Sequence, residues 1–97
     1  MISLRRHRCG NELLIAACDA GLVGGRYEEG DLCLELKAGF FDGERVDARL
    51  FIEVLALATI ANLAGEETVA AAIEGGFIDP DCVIRIRGVP HAQLVRM

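Results

Sequence analysis

Two histidines, four cysteines, one serine and two threonines of this 97-residue sequence are candidates for nucleophile, proton carrier or soft metal ligand. His7-x-Cys9 puts an imidazole and a thiol on one face of a strand, which is workable metal geometry. The remaining candidates of the right type are His91 and Cys82. None of the cysteines is spaced as C-x-x-C, so neither a zinc ribbon nor a thioredoxin-like motif is present, and no metal or cofactor is expected. Cys18, Cys33 and Cys82 lie in apolar, strand-like runs and read as small buried hydrophobes. Ser3, Thr59 and Thr68 sit in no nucleophile motif. Gly21-Leu-Val-Gly-Gly25 is too loose for a phosphate loop. Glu28-Glu29 and Glu66-Glu67 read as a solvated turn and a helix start. A Cys9–His91 pair requires the two chain ends to meet. No catalytic residue is assigned.

The tail Gly88-Val-Pro-His-Ala-Gln93 is the most unusual local stretch. Glycine and proline set a rigid turn that presents His91 and Gln93. A histidine there can serve as acid or base, bind metal or stack on a nucleobase. It can equally hydrogen-bond the backbone at a strand break.

The charges are sorted along the chain. Met1 to Arg8 holds Arg5, Arg6 and Arg8 with no acid, and Val83 to Met97 holds Arg85, Arg87 and Arg96 with none. The stretch between carries all 15 acids against Arg26, Lys37, Arg45 and Arg49, so an overall charge of −5 hides two basic ends. If the ends meet, they make one basic patch suited to phosphate. Neutralisation by neighbouring acids is the competing reading, and exposed pairs of that kind contribute roughly 0–1 kcal/mol each. The 5% aromatic content argues against a stacking platform for single strands. The net negative charge argues against indiscriminate coating of nucleic acid.

The elements that must position these groups follow from periodicity. Ile2–Arg8 and Leu13–Cys18 read as strands about a Gly10-Asn11 hairpin, with His7 opposite Leu14 and Arg5 opposite Ala16. Leu32, Leu34 and Leu36 alternate with Cys33, Glu35 and Lys37 as a half-buried strand. Ala38–Glu44 reads as a turn. Asp47 is an N-cap, and the spacing predicts a helix from Ala48 to about Ala64 that stops at Gly65. Its second half is apolar nearly all round, so it is buried on several sides or meets another chain through Leu57, Ile60 and Leu63. Glu66–Glu74 is a second, short helix. Cys82–Arg87 alternates as a strand, Pro90 breaks it, and His91–Arg96 is a candidate final strand. The chain is expected to be one α+β domain over residues 1–97. Its order is β-β-β-α-α-β with an optional last β, and an antiparallel sheet of four to five strands packs on two helices. No leader pattern is evident, and the apolar run Val54–Ala61 is far short of the ~20 residues that span a bilayer. A cytoplasmic location without membrane contact is the expectation.

At Ala58-Thr-Ile-Ala-Asn-Leu-Ala-Gly-Glu66 and Val83-Ile-Arg-Ile-Arg-Gly-Val-Pro-His-Ala-Gln93 the sequence resembles the archaeal domain of unknown function 424 family. The likeness extends over essentially the whole chain, including the Gly30-Asp31 turn. It implies a stand-alone, cytoplasmic archaeal protein and brings no activity, cofactor or site residue. The residues themselves point to a non-catalytic module that contacts RNA or ribonucleoprotein in translation or RNA processing. The contact residues would be Arg5, Arg6, Arg8, Arg85, Arg87, Arg96, His91 and Gln93. The alternative is a protein–protein adaptor or homodimer built on the apolar helix end.

Overall fold

Gly10 and Asn11 reverse the chain in two residues, with Gly10 at φ +60°. β1 (Ile2–Cys9) and β2 (Glu12–Asp19) therefore pair with Arg5 opposite Ala16 and His7 opposite Leu14, as the loop length requires. The structure is a computed structural model and describes residues 1–96. A second hairpin, β3 (Arg26–Glu29) and β4 (Leu32–Glu35), turns at Gly30-Asp31. Then come α1 (Ala38–Phe41), β5 (Glu44–Val46), α2 (Ala48–Leu55), β6 (Ile60–Ala64) and α3 (Glu66–Glu74). A turn of 3-10 helix over Pro80–Cys82 leads into β7 (Ile84–Ile86) and β8 (Val89–Val95).

Six strands form one sheet in the order β5-β1-β2-β6-β8-β7, and β3-β4 stands apart. Every neighbouring pair in the large sheet is antiparallel except β2 with β6, which is parallel. The α+β class holds. The expected four- to five-stranded antiparallel sheet on two helices is corrected to a mixed six-stranded sheet, a separate hairpin and three helices.

The largest correction concerns the long helix. It ends at Leu55, and Ile60–Ala64 is a central strand. Thr59 makes the switch. Its amide donates to the Leu13 carbonyl (2.9 Å), and its hydroxyl donates to the same oxygen and accepts from the Leu13 amide. An apolar run with no polar face fits a strand buried on both sides as well as a helix, and periodicity alone cannot separate the two.

The sheet is packed against on both faces, the second only in part. On the first, Ile2, Leu4, Ile15 and Leu63 pack against Phe51 and Leu55 of α2 and Val69 of α3. On the second, Ala16, Cys18, Ala64 and Ile86 meet Leu34 and Leu36 from the hairpin segment and Phe41 of α1. Asp47 caps α2 by accepting from the Leu50 amide, as expected. The cap of α3 comes from a distant strand. Asp19 accepts from the Glu67 and Thr68 amides and the Thr68 hydroxyl at 2.8–3.1 Å. Gly65 precedes that helix at φ +104°, where a Cβ would collide with the Asp19 carboxylate. Among the described residues, no helix is long and apolar enough to cross a membrane.

Candidate binding surface

The two basic ends share the sheet but do not meet. β2 and β6 lie between β1 and β8, and β8 also lies between β1 and β7. At ~4.8 Å per strand, β1 and β7 are ~19 Å apart. The single patch of six arginines is therefore not assembled.

Each arginine has its own surroundings. On β1, alternate side chains face the two sides of the sheet. Arg6 looks to the α2 side and pairs with Glu44 of β5. Arg8 makes no ion pair among the described residues. Arg5 donates to the Asp42 carbonyl at 3.3 Å. Beside it, the buried Ser3 hydroxyl donates to the Phe41 carbonyl (2.9 Å), and His7 Nε2 donates to the Phe40 carbonyl (2.9 Å) while stacking on the Phe40 ring. Three consecutive same-face residues of β1 thus satisfy the last carbonyls around α1, which a four-residue helix cannot satisfy itself. Arg85 turns to the α3 side and pairs with Glu66, a bond that raises its already high pKa. Arg96 donates to the Ala56 carbonyl (2.9 Å) and lies 5.2 Å over the Phe77 ring. Arg87 sits in the β7–β8 turn at φ +53°.

His91 and Gln93 both project from the second face of β8. His91 lies between Ala64 of β6 and Ile84 of β7 in the sheet register. It is half-buried, and burial holds its imidazole below the usual pKa. Gln93 lies opposite Asn62 and donates to its side-chain oxygen at 2.9 Å. Cys82, Ile84, His91, Ala92 and Gln93 line a cleft of about 270 Å³ there. Arg5, Ala16, Asn62 and Gln93 form one row across four strands. The neighbouring row is His7, Leu14, Ile60 and Val95. α1 covers the β1–β2 end of this face, and the β3–β4 hairpin covers part of the β7 end. Between these covers Asn62 and Ile60 are half-buried, while Gln93 and Val95 are exposed.

The cysteine reading is corrected in part. Cys18 is buried, and desolvation together with the adjacent Asp19 carboxylate pushes its thiol up to about 11, where it stays protonated. Cys33 and Cys82 are exposed, as is Cys9. His7 and Cys9 do share a strand face, but the imidazole is occupied by Phe40. The proposed contact residues of the helix end separate as well. Leu57 is exposed in a turn, Ile60 is half-buried on the second face, and Leu63 is fully buried on the first. Sequence reasoning missed Asn62 because it was placed in a helix. The alternation Ile60, Asn62, Ala64 was the available signal for one strand face.

A family model described as protein of unknown function (DUF424) matches residues 7–97. The fold is similar to the crystal structure of an uncharacterized conserved protein from Methanopyrus kandleri. That likeness has a TM-score of 0.78 at 23% identity and covers 99% of this chain and 94% of the other. No match was found among curated proteins.

Proposed function

The chain belongs to the DUF424 family, and we propose that it is a non-catalytic binding module that contacts RNA or ribonucleoprotein in translation or RNA processing. The contact surface is the open part of the sheet's second face. The observation that carries this reading is the Asn62–Gln93 pair. With one Gln93 N–H given to Asn62, the pair keeps the Asn62 amino group as a donor and the Gln93 carbonyl oxygen as an acceptor. One donor and one acceptor on a single pair of side chains are the groups that the edge of an unstacked base calls for. Leu14, Ile60 and Val95 supply apolar ground next to the pair, and His91 flanks it on the other side. Arg87 stands at the β7–β8 turn, so a phosphate would be met at the margin of the face, whereas Arg5, in the same row, is engaged by the Asp42 carbonyl and is left out of this contact. Arg6 and Arg85 belong to the other side of the sheet and drop out of this contact.

Retention on structured and single-stranded RNA across a salt series tests it. Binding should weaken with salt, because each phosphate contact releases counterions. The double variant Asn62→Ala/Gln93→Ala should lose retention while keeping the fold. Retention that is absent in the wild type, or unchanged in the double variant, sinks the reading. A protein partner or second copy then becomes the better proposal. Its footing is the exposure of Ile84 and Val95, 48% and 66%, on the last two strands. Sedimentation at micromolar concentration addresses that case directly.

A further inference from the structure

The three two-residue hairpin turns of this protein are not built alike. Gly10-Asn11 and Gly30-Asp31 each put glycine first, at φ +60°. The β7–β8 turn puts Arg87 first at φ +53° and Gly88 second at φ +81°. Two positive φ angles in succession call for Asn-Gly or Asp-Gly, and an arginine there is strained. Arg87 is the one non-glycine residue with positive φ among those described. Its amide is held by the Glu29 carboxylate at 2.6 Å, which ties the turn to the β3–β4 hairpin. Strain maintained by its surroundings is a pointer to function.

An open cleft of about 460 Å³ is lined by Arg26, Tyr27 and Glu28 of the β3–β4 hairpin and by Arg87 of the β7–β8 turn. Arg26 is neutralised by Glu28 at 2.7 Å and approaches Glu35 at 3.7 Å. The Arg87 guanidinium makes no ion pair among the described residues, so its fork of donors is unengaged, although the Glu28 carboxylate lines the same cleft and the Glu29 carboxylate holds the Arg87 amide. Tyr27 is half-buried at its side, and its hydroxyl lies where a Cβ on Gly25 would come within 2.8 Å. Gly25 therefore leaves room for the ring.

We infer that this cleft binds the phosphate group of a nucleotide, with Arg87 as the main ligand, Arg26 as the second and Tyr27 along the sugar or base. A guanidinium fork matches two phosphate oxygens in one plane, which a lysine cannot do. The exposed Arg26–Glu28 pair is weak enough to yield to a phosphate. RNA as the source of that phosphate rests on the reading above. Free nucleotide is the other source of the same chemistry.

The test is titration of the isotope-labelled protein with inorganic phosphate, adenosine monophosphate and a short single-stranded RNA, followed through backbone amide shifts. Tyr27, Arg87 and Gly88 should shift with all three. Arg87→Asn supplies the residue that the turn prefers and removes the charge. It should weaken phosphate and nucleotide binding at least tenfold while thermal stability stays level or rises. Arg87→Lys should fall between the two. No shift at the cleft with any probe overturns the inference, as does Arg87→Asn binding as tightly as wild type. RNA retention that depends on Asn62 and Gln93, with no cleft shift from phosphate or nucleotide, sinks the cleft and spares the open face. Cleft shifts with phosphate and nucleotide, without RNA retention, support the cleft and sink the RNA reading.

Discussion

On β1, Ser3, Arg5 and His7 point from the second face straight into the α1–β5 connection and donate to the carbonyls of Phe41, Asp42 and Phe40. On β8, His91 and Gln93 point from the same face of the same sheet and meet no such cover. Their neighbours are an open cleft and a single amide, Asn62. The two segments start from similar material, with three arginines, one histidine and no acid in each end of the chain. What separates them is the element laid over each strand. A polar side chain under a short helix becomes its cap. The same kind of side chain under nothing is free for a partner.

The contrast breaks most visibly at Ser3. Its buried hydroxyl donates to the Phe41 carbonyl and accepts from the Gly43 amide and from Arg45, at 2.9–3.0 Å. Ser3→Val would leave those groups unpaired. The expected loss is about 2–4 kcal/mol in urea denaturation, since each orphaned buried group costs ~1–3 kcal/mol. A loss under ~1 kcal/mol would mean that β1 is not organised around α1 as described. His7→Ala comes next. It deletes one carbonyl bond and a stack with ring centroids 4.4 Å apart. About 1–2 kcal/mol is expected from terms of that kind, with RNA retention unaffected.

How much of this was legible beforehand differs between the two regions. The Gly10-Asn11 turn fixed the β1–β2 register to the residue, because loop length and pairing are one constraint. Asp47 was readable as a cap because the cap is local. The carboxylate that caps α3 was not, since Asp19 stands on β2, 48 and 49 residues from the amides it binds. The stretch Ala56–Ala64 was misread for a physical reason. A segment whose polar residues are Thr59 and Asn62 alone carries little phase, so the strand is marked only by the branched Thr59 and Ile60 and by the short alternation Ile60, Asn62, Ala64. A helix in that place leaves no central strand between β2 and β8 and hides Asn62 beside Gln93. His91 and Gln93 were visible as a pair on one strand face, which is local. Their partner from β6 was not.

On the β8 side the balance of effects should reverse. Gln93 is exposed and Asn62 half-buried, so Asn62→Ala/Gln93→Ala should cost no more than ~0.5 kcal/mol at Gln93 and about 1 kcal/mol at Asn62. Loss of RNA retention should be the dominant effect. A double variant that unfolds while still retaining RNA at low denaturant would place both regions in the same structural class and dissolve the contrast.

The finest probe of the difference is pH, at His91. Burial lowers its folded-state pKa below the ordinary ~6.5, so the folded protein holds its imidazole neutral more firmly than the unfolded chain does. Between ~6.5 and the lowered value, the unfolded state carries more protons. The stability contribution is then complete above ~6.5, declines as pH falls through the folded pKa, and is flat below it. Denaturation midpoints between pH 7.5 and 5.5 should fall in the wild type and fall less in His91→Gln. Binding should move the other way. A phosphate near the open face favours the imidazolium, so RNA retention at constant ionic strength should be stronger at pH 5.5 than at pH 7.5, and His91→Gln should remove that gain. Opposite signs for stability and binding are what a half-buried histidine beside an open face predicts. The same sign in both would put His91 with His7, as a side chain whose whole role is to hold the fold.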